Sequence, residues 1–365
     1  MPESEPHRLV EELDGVIRGA TRPTMGALLD EFRRRRRYRD EDFPLSASRF
    51  NLFREQVIGA FIDALDLADW VVASADNPKN CLADRFEDKC VQVVRREGVE
   101  VEVHILTITD PGLCVPAVLC LPVGTQRVPG VCCYSGHSKH GLRDLLEPQS
   151  YQAGIAMRLA SSGIATIAVE KVDAGYLSRG LTAGSDEYEV ATYALACGRT
   201  TRAMQLKACL AACELLACHR RVEPTRIGAA GVSLGGWLST ETALLTDRIK
   251  AVADFGVKTL HAPAGLEVQS FTGIRDICQI IPGLLSVCDR NLHALAYCPR
   301  PMLAGHGRLD ADSCKQGDAH YRELFGRQYA RLGHADRYQY HVHDGADQMP
   351  AGEVLRYFHT IFEGM

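Results

Sequence analysis

Arg226-Ile227-Gly228-Ala229-Ala230-Gly231-Val232-Ser233-Leu234-Gly235-Gly236-Trp237-Leu238 is the stretch whose reading decides the fold. Its first half is short and apolar, as a buried strand is, and Gly235 to Leu245 continues as a helix. Between them, Gly231-Val232-Ser233-Leu234-Gly235 fits Gly-x-Ser-x-Gly. A serine on so tight a strand-to-helix turn needs small neighbours, because its own backbone is strained and the chain doubles back on itself. The turn lifts the Ser233 hydroxyl above the sheet edge, and the helix aims its positive end at any anion formed there. Ser233 is therefore the candidate nucleophile, and the Leu234 amide a candidate oxyanion donor.

Strands and helices alternate on both sides of this turn. Upstream, Val91 to Thr107 alternates and is rich in Val and Ile, broken by a turn at Glu97-Gly98, which predicts a hairpin. Cys114 to Pro122 and Pro129 to Tyr134 read as strands, Gln152 to Ser162 as a helix capped by Gly163, and Ile164 to Val169 as a strand. Met204, Ala208, Ala211, Leu215 and Cys218 mark one face of a helix, on which Arg202 and Lys207 read as solvated charges. Downstream come strands at Ala251 to Phe255, Pro301 to Ala304 and Tyr338 to His343, with helices at Asp318 to Leu332 and Gly352 to Phe362. This order predicts a mostly parallel, doubly wound α/β sheet preceded by an antiparallel hairpin. Residues 1–85 are expected to form a helical N-terminal extension, from Leu9, Leu13 and Val16 and from Phe50, Phe53, Val57, Phe61 and Leu65, and residues 86–365 the main domain. Residues 257–296 fit the alternation least and are expected to be helices covering the site.

Composition narrows the partners. The chain has 365 residues, 46% of them apolar, and a formal net charge of -5, so it is no general polyanion binder. The basic run Arg33 to Arg37 and Arg39 is flanked by Asp30, Glu31, Asp40, Glu41 and Asp42, and reads as a solvated face or a contact between subunits rather than a nucleic-acid site. No apolar run reaches the roughly 18 residues of a membrane span, and Met1 to Glu12 lacks the pattern of a signal peptide. Fourteen cysteines in such a chain read as reduced thiols in a cytoplasmic protein, most of them packed as small hydrophobes: Cys114, Cys120, Cys132, Cys133, Cys209 and Cys213. Cys132 and Cys133 are strand neighbours that point to opposite faces, which argues against zinc. The expected partner is a small-molecule substrate, with no cofactor, no metal, no nucleic acid and no membrane; a homodimer is possible.

Three further segments add to the elbow. Ser135-Gly136-His137-Ser138 follows a strand where a second oxyanion donor belongs, and the His137 amide is the candidate. Val222-Glu223-Pro224-Thr225-Arg226-Ile227-Gly228 leads into the elbow, and His306-Gly307-Arg308-Leu309-Asp310 follows a late strand. With these motifs, Cys114 to Met365 resembles the dienelactone-hydrolase and acetyl-xylan-esterase-like branch of the α/β-hydrolase superfamily. The resemblance implies an α/β-hydrolase fold, a serine nucleophile at Ser233 and a triad acid at Asp310, with Asp312 as runner-up. It also implies Gly-Gly-His after the last strand. Here the chain reads Asp344-Gly345-Ala346-Asp347-Gln348-Met349-Pro350, with Asp347 where the histidine belongs.

That departure leaves the chemistry open. A triad base must be neutral near pH 7, and a free Asp lies about 2.6 pKa units, or roughly 3.5 kcal/mol, below His in proton affinity. His343, on one strand face with His341 and Gln339, could serve instead; so could His137. Asp347 could itself be the base of a lyase or cyclase reaction in small-molecule biosynthesis. The pocket could also only bind. The leading expectation is an enzyme acting through Ser233 on an ester, lactone or thioester. Glu170, Lys171, Asp173 and Tyr176 follow a strand and read either as lining the site mouth or as surface pairs.

Overall fold

The computed structural model describes residues 34–71, 82–124, 126–177, 185–256, 277–310 and 315–365. Leu9, Leu13, Val16, Arg33, Asp312 and residues 257–276 lie outside the described residues.

Nine strands form one sheet: β1 (Phe86–Arg96), β2 (Val99–Ile108), β3 (Leu113–Pro122), β4 (Val128–Tyr134), β5 (Ala165–Val169), β6 (Val222–Val232), β7 (Ile249–Phe255), β8 (Met302–Gly307) and β9 (Tyr338–His343). Their order is β1-β2-β3-β5-β4-β6-β7-β8-β9. The first three strands and β5 pair antiparallel, and β5 to β9 run parallel. The β1–β2 turn is the expected one: Glu97 (φ 49°) and Gly98 (φ 78°) are both left-handed, as a two-residue turn needs to match the strand twist, and Arg96 pairs directly with Val99.

Described helices are α1 (Ala47–Leu65), α2 (Ile155–Ser161), α3 (Ser185–Ala196), α4 (Thr201–Cys218), α5 (Leu234–Leu245), α6 (Arg290–Leu295), α7 (Lys315–Arg331) and α8 (Ala351–Glu363). None is long and apolar enough to cross a membrane. Helix α2 begins three residues later than its sequence suggests, because Ala153 (φ 54°) and Gly154 (φ 57°) are left-handed and cannot belong to it.

The sheet separates two cores. One holds the expected α1 stripe (Phe50, Phe53, Val57, Phe61, Leu65) against Trp237, Leu238 and Cys132; the other packs Cys133, Ala230 and Phe255 against α2 and α8. Cys132 and Cys133 thus do face opposite ways. Every described cysteine is a free thiol, but Cys114 is exposed, not packed in the core. Arg34, Arg35, Arg37 and Arg39 of the basic run are exposed, as a solvated face is, while Arg36 pairs with buried Asp289 at 3.3 Å and the Tyr38 amide donates to the Val287 carbonyl at 2.9 Å.

The sequence expectation for α4 needs correction. Its charges are buried, not solvated. Arg202 pairs with Glu241 of α5 at 3.4 Å, with both side chains shut off from solvent. Lys207 pairs with Asp110 at 3.0 Å and lies over the Trp70 ring. Helix α4 packs on the sheet and on α5, and Lys207 reaches the turn between β2 and β3, so its far side meets protein too. The surface-pair reading of Glu170, Lys171 and Asp173 also fails, since all three are buried. Glu170 accepts from the Leu142 (3.0 Å), Lys171 (3.1 Å) and Tyr176 (3.1 Å) amides, tying together the loops after β4 and β5. Gly141 and Gly175, both left-handed, leave the room its carboxylate fills.

Candidate active site

Strand order places the site. The chain runs from β4 outward to β5, then returns to lay β6 on β4's other side. Open α/β sheets bind ligands at such a reversal, beyond the carboxyl ends of the strands. Ser233 follows β6 there, and Ser135-Gly136-His137 follows β4.

Ser233 has φ 59° and ψ −129°, a conformation that non-glycine residues adopt at a cost of about 1–3 kcal/mol. Close packing enforces it. A Cβ on Gly231 would lie 2.2 Å from the Gly235 carbonyl carbon, one on Gly235 2.0 Å from the Tyr134 carbonyl oxygen, and one on Gly256 1.9 Å from the Ser233 carbonyl oxygen. The glycines on both sides of the serine are thus steric necessities. Ser233 remains half-buried, while Leu234 behind it is fully buried. The Leu234 amide opens α5, where amides have no partner within the helix.

Asp254, at the end of β7, braces the turn. It is fully buried, accepts from the Thr240 hydroxyl at 2.6 Å and from the Gly256 amide at 2.8 Å, and occupies the space beside Gly236. Burial pushes its carboxyl up to about 6. The folded state therefore holds a proton that the unfolded chain, titrating near 3.8, releases. The sign follows: between pH 3.8 and about 6 this group's contribution to stability is lost as pH rises, and above that it is flat. Asp254→Asn keeps the hydrogen-bonding shape and is expected to remove this downward slope, measured as the difference in melting temperature between the two proteins from pH 4 to 7. Equal slopes would show that Asp254 is ionised throughout.

A residue that sequence reasoning missed stands beside the serine. A Cβ on Gly136 would lie 2.6 Å from the Tyr151 hydroxyl, 2.7 Å from the Val232 carbonyl oxygen and 2.9 Å from the Ser233 Cβ. Gly136 is thus wedged between Tyr151 and Ser233. Burial, with the Asp347 and Asp144 charges behind it, raises the Tyr151 hydroxyl above the ordinary phenol range, so it keeps its proton. Nothing local marks Tyr151; it precedes a helix as many loop residues do.

The two acidic loops are zipped together. The Arg308 amide donates to the His343 carbonyl at 2.8 Å, and the Leu309 amide to the Gly345 carbonyl at 2.9 Å. Gly307 packs on the Gly345 and Ala346 carbonyls, where a Cβ would be 2.3 and 2.0 Å from their oxygens. The Met349 amide donates to the Tyr151 carbonyl at 2.8 Å, fixing the far end. Asp347 therefore sits on a pinned loop, half-buried, and its charge acts on Tyr151. Asp310, also half-buried, closes its turn by donating its amide to the Gly307 carbonyl at 3.1 Å.

His343 is placed differently. It and His341 lie edge-on to Phe255, with ring centroids 6.1 and 6.5 Å away, so the two do share a face. Its Nδ1 accepts from the Gly345 amide at 3.1 Å, which leaves the proton on Nε2. Burial, then the charges of His341 and His306, lower its pKa, and Glu353 and Asp310 only partly oppose this. The His137 ring has its Nε2 3.0 Å from the Cys278 Sγ and 3.5 Å from the Glu187 Oε2.

No family model matches the chain. A curated Bacillus subtilis protein named "Putative hydrolase YtaP" is 25% identical over 208 residues, 56% of this chain and 67% of that protein. Among solved structures, a "putative acetyl xylan esterase" from Bacteroides fragilis superposes with a TM-score of 0.68 at 18% identity, covering 88% of this chain and 83% of its own. The fold is the α/β-hydrolase fold. A protein titled Methylesterase BT1017 matches with TM-score 0.65 and 19% identity over 88% of this chain and 66% of its own length. A glucuronoyl esterase from Solibacter usitatus matches with TM-score 0.58 and 12% identity over 84% and 91%. Within the α/β-hydrolase fold, Ser233 occupies the elbow, and Asp310 and Asp347 the two loops that follow β8 and β9.

Proposed function

We propose that the chain is a hydrolase that cleaves an ester, lactone or thioester of a small organic substrate through an acyl-enzyme on Ser233. The observation that carries this reading is the backbone of Ser233, held at φ 59° and ψ −129° by glycines that admit no side chain. Strain of this kind serves no packing purpose; it presents a hydroxyl at the site mouth. The named relatives are a hydrolase by name and esterases by title, which supports the same class.

In this mechanism the Ser233 oxygen attacks the substrate carbonyl, and the oxyanion is met by the amides of Leu234 and His137. Asp347 takes the serine proton and returns it to the leaving group. The Tyr151 hydroxyl, protonated throughout, stands beside both and donates to oxygen as charge develops. Asp310 stands on the adjoining loop of the zipped pair. A carboxylate base is weak, so the reaction suits activated acyl groups such as lactones and thioesters.

A fluorophosphonate probe tests the nucleophile. The wild-type chain is expected to be labelled on Ser233, slowly, and Ser233→Ala not at all, by intact-mass measurement. Absence of labelling in a folded wild-type chain would overturn the reading.

A second reading has its own observation, a Tyr151 hydroxyl that keeps its proton within reach of the Asp347 charge. A carboxylate base beside a fixed hydroxyl donor is what proton abstraction from carbon needs, as in a lyase or cyclase. It is favoured if Asp347→Ala abolishes the native reaction and Ser233→Ala leaves it intact.

A further inference from the structure

We propose that His137, Glu187 and Cys278 form a binding site for one divalent transition-metal ion of the zinc class, on the loop whose Gly136 packs against Ser233. The three come from separate parts of the fold: the loop after β4, helix α3, and a short turn at Ile277–Gln279. Their donor atoms all lie within 4.8 Å of one another, with His137 Nε2 3.0 Å from the Cys278 Sγ and 3.5 Å from the Glu187 Oε2. Zinc bonds of about 2.0–2.3 Å to nitrogen, oxygen and sulfur put neighbouring donors of a tetrahedron about 3.5 Å apart. Only small side-chain shifts separate the observed triangle from that geometry.

Two features favour a metal over a thiol–imidazole–carboxylate relay. A relay would place the thiol on one ring nitrogen and the carboxylate on the other. Here both face Nε2, so three donors converge on one region instead of forming a line. The carboxylate is also pre-set, since its Oε1 accepts from the Cys278 amide at 3.2 Å, which turns Oε2 toward the imidazole. Hydrogen bonds of this outer kind orient metal ligands.

The chemistry is self-consistent. Burial raises the Cys278 thiol well above its ordinary value, so it is inert as a nucleophile. An arriving cation reverses that, because the thiol loses its proton to solvent as the sulfur–metal bond forms. Three protein donors leave a fourth position open to water or to a substrate oxygen. His137 reaches solvent more than its two partners do, so the ion enters from its side.

Cobalt(II) is the probe, added to the full-length chain and followed by absorbance, with zinc(II) as competitor. One equivalent per chain is expected, with a thiolate-to-cobalt charge-transfer band that zinc removes. Cys278→Ser is expected to lose the band, and both it and Glu187→Gln to bind more than about 100-fold more weakly, beyond what the loss of a group that only orients a ligand causes. Ser233→Ala is expected to bind as the wild type does, so this result stands apart from the hydrolase reading. Circular dichroism establishes that each variant is folded. The proposal is overturned if the wild type binds no cobalt, if the band survives Cys278→Ser, or if Cys90→Ser removes it instead. The last outcome would place the ion on the Cys90, Glu102 and His104 group of the β1–β2 hairpin.

Discussion

Asp347→His is expected to raise kcat/KM for a short-chain p-nitrophenyl ester by about 100-fold, at the lower end of what a positioned general base contributes. The loop that carries residue 347 is already held at both ends, by the Leu309–Gly345 and Met349–Tyr151 hydrogen bonds. An imidazole there would be about 2.6 pKa units more basic than a carboxylate and half neutral near pH 6.5. Asp310 on the adjoining loop would then orient the ring and favour its cation, completing the chain order Ser, acid, His. The lower end of the range is expected because the loop is packed around a side chain smaller than a ring. The pH profile should gain a rise near pH 6.5, and adding Ser233→Ala should return the rate to background. A folded Asp347→His that is no faster than the wild type, with Ser233 still labelled by fluorophosphonate, would mean that residue 347 does not face Ser233.

The fold was legible in the sequence wherever its signals were local. Glu97-Gly98 between alternating strands has essentially one solution, and Gly-x-Ser-x-Gly between an apolar strand and a helix has another. Ser233's strain could be read in part from its neighbours because Gly231 and Gly235 lie two positions away, while Gly256 comes from beyond β7. The sequence said less where partners come from elsewhere in the chain. Helix α4 shows one apolar face by period, but its other face is covered by α5 and by the turn between β2 and β3, so Arg202 and Lys207 are buried against all sequence expectation. Helix α3 was not foreseen, because its mixed composition carries only a weak periodic signal. Tyr151 and Gly136 meet only because β4 and α2 end at the same corner. Glu187 and Cys278 are 91 residues apart. No spacing rule links them, and a search for metal motifs at tight spacing passes over both.

The same burial makes Glu241→Ala the most damaging single substitution expected outside the site. Every residue of α5 is buried, so Glu241 has no access to water. It faces Arg202 at 3.4 Å and Arg290 at 3.7 Å, and Arg290 in turn stacks on Trp237 of the elbow helix at 4.0 Å. Burial first, and the Arg202 charge second, pull Arg290 down to about 9, while Glu241 opposes both. Removing the carboxylate leaves two desolvated guanidinium groups facing each other. Breaking a buried pair from one side costs about 3–5 kcal/mol, and one carboxylate serving two cations puts this loss at the upper end. At about 2 °C per kcal/mol for a domain of this size, the melting temperature should fall by roughly 10 °C. A fall under about 3 °C would mean that water reaches the cluster. The triple variant Arg202→Met, Glu241→Leu, Arg290→Met supplies the contrast. It removes all three charges together and is expected to be near neutral in stability, since well-packed apolar groups commonly replace buried ion clusters without loss. If the triple variant is as unstable as Glu241→Ala, the cluster contributes through shape and hydrogen bonding to Gln205 and beyond, rather than through the balance of its charges.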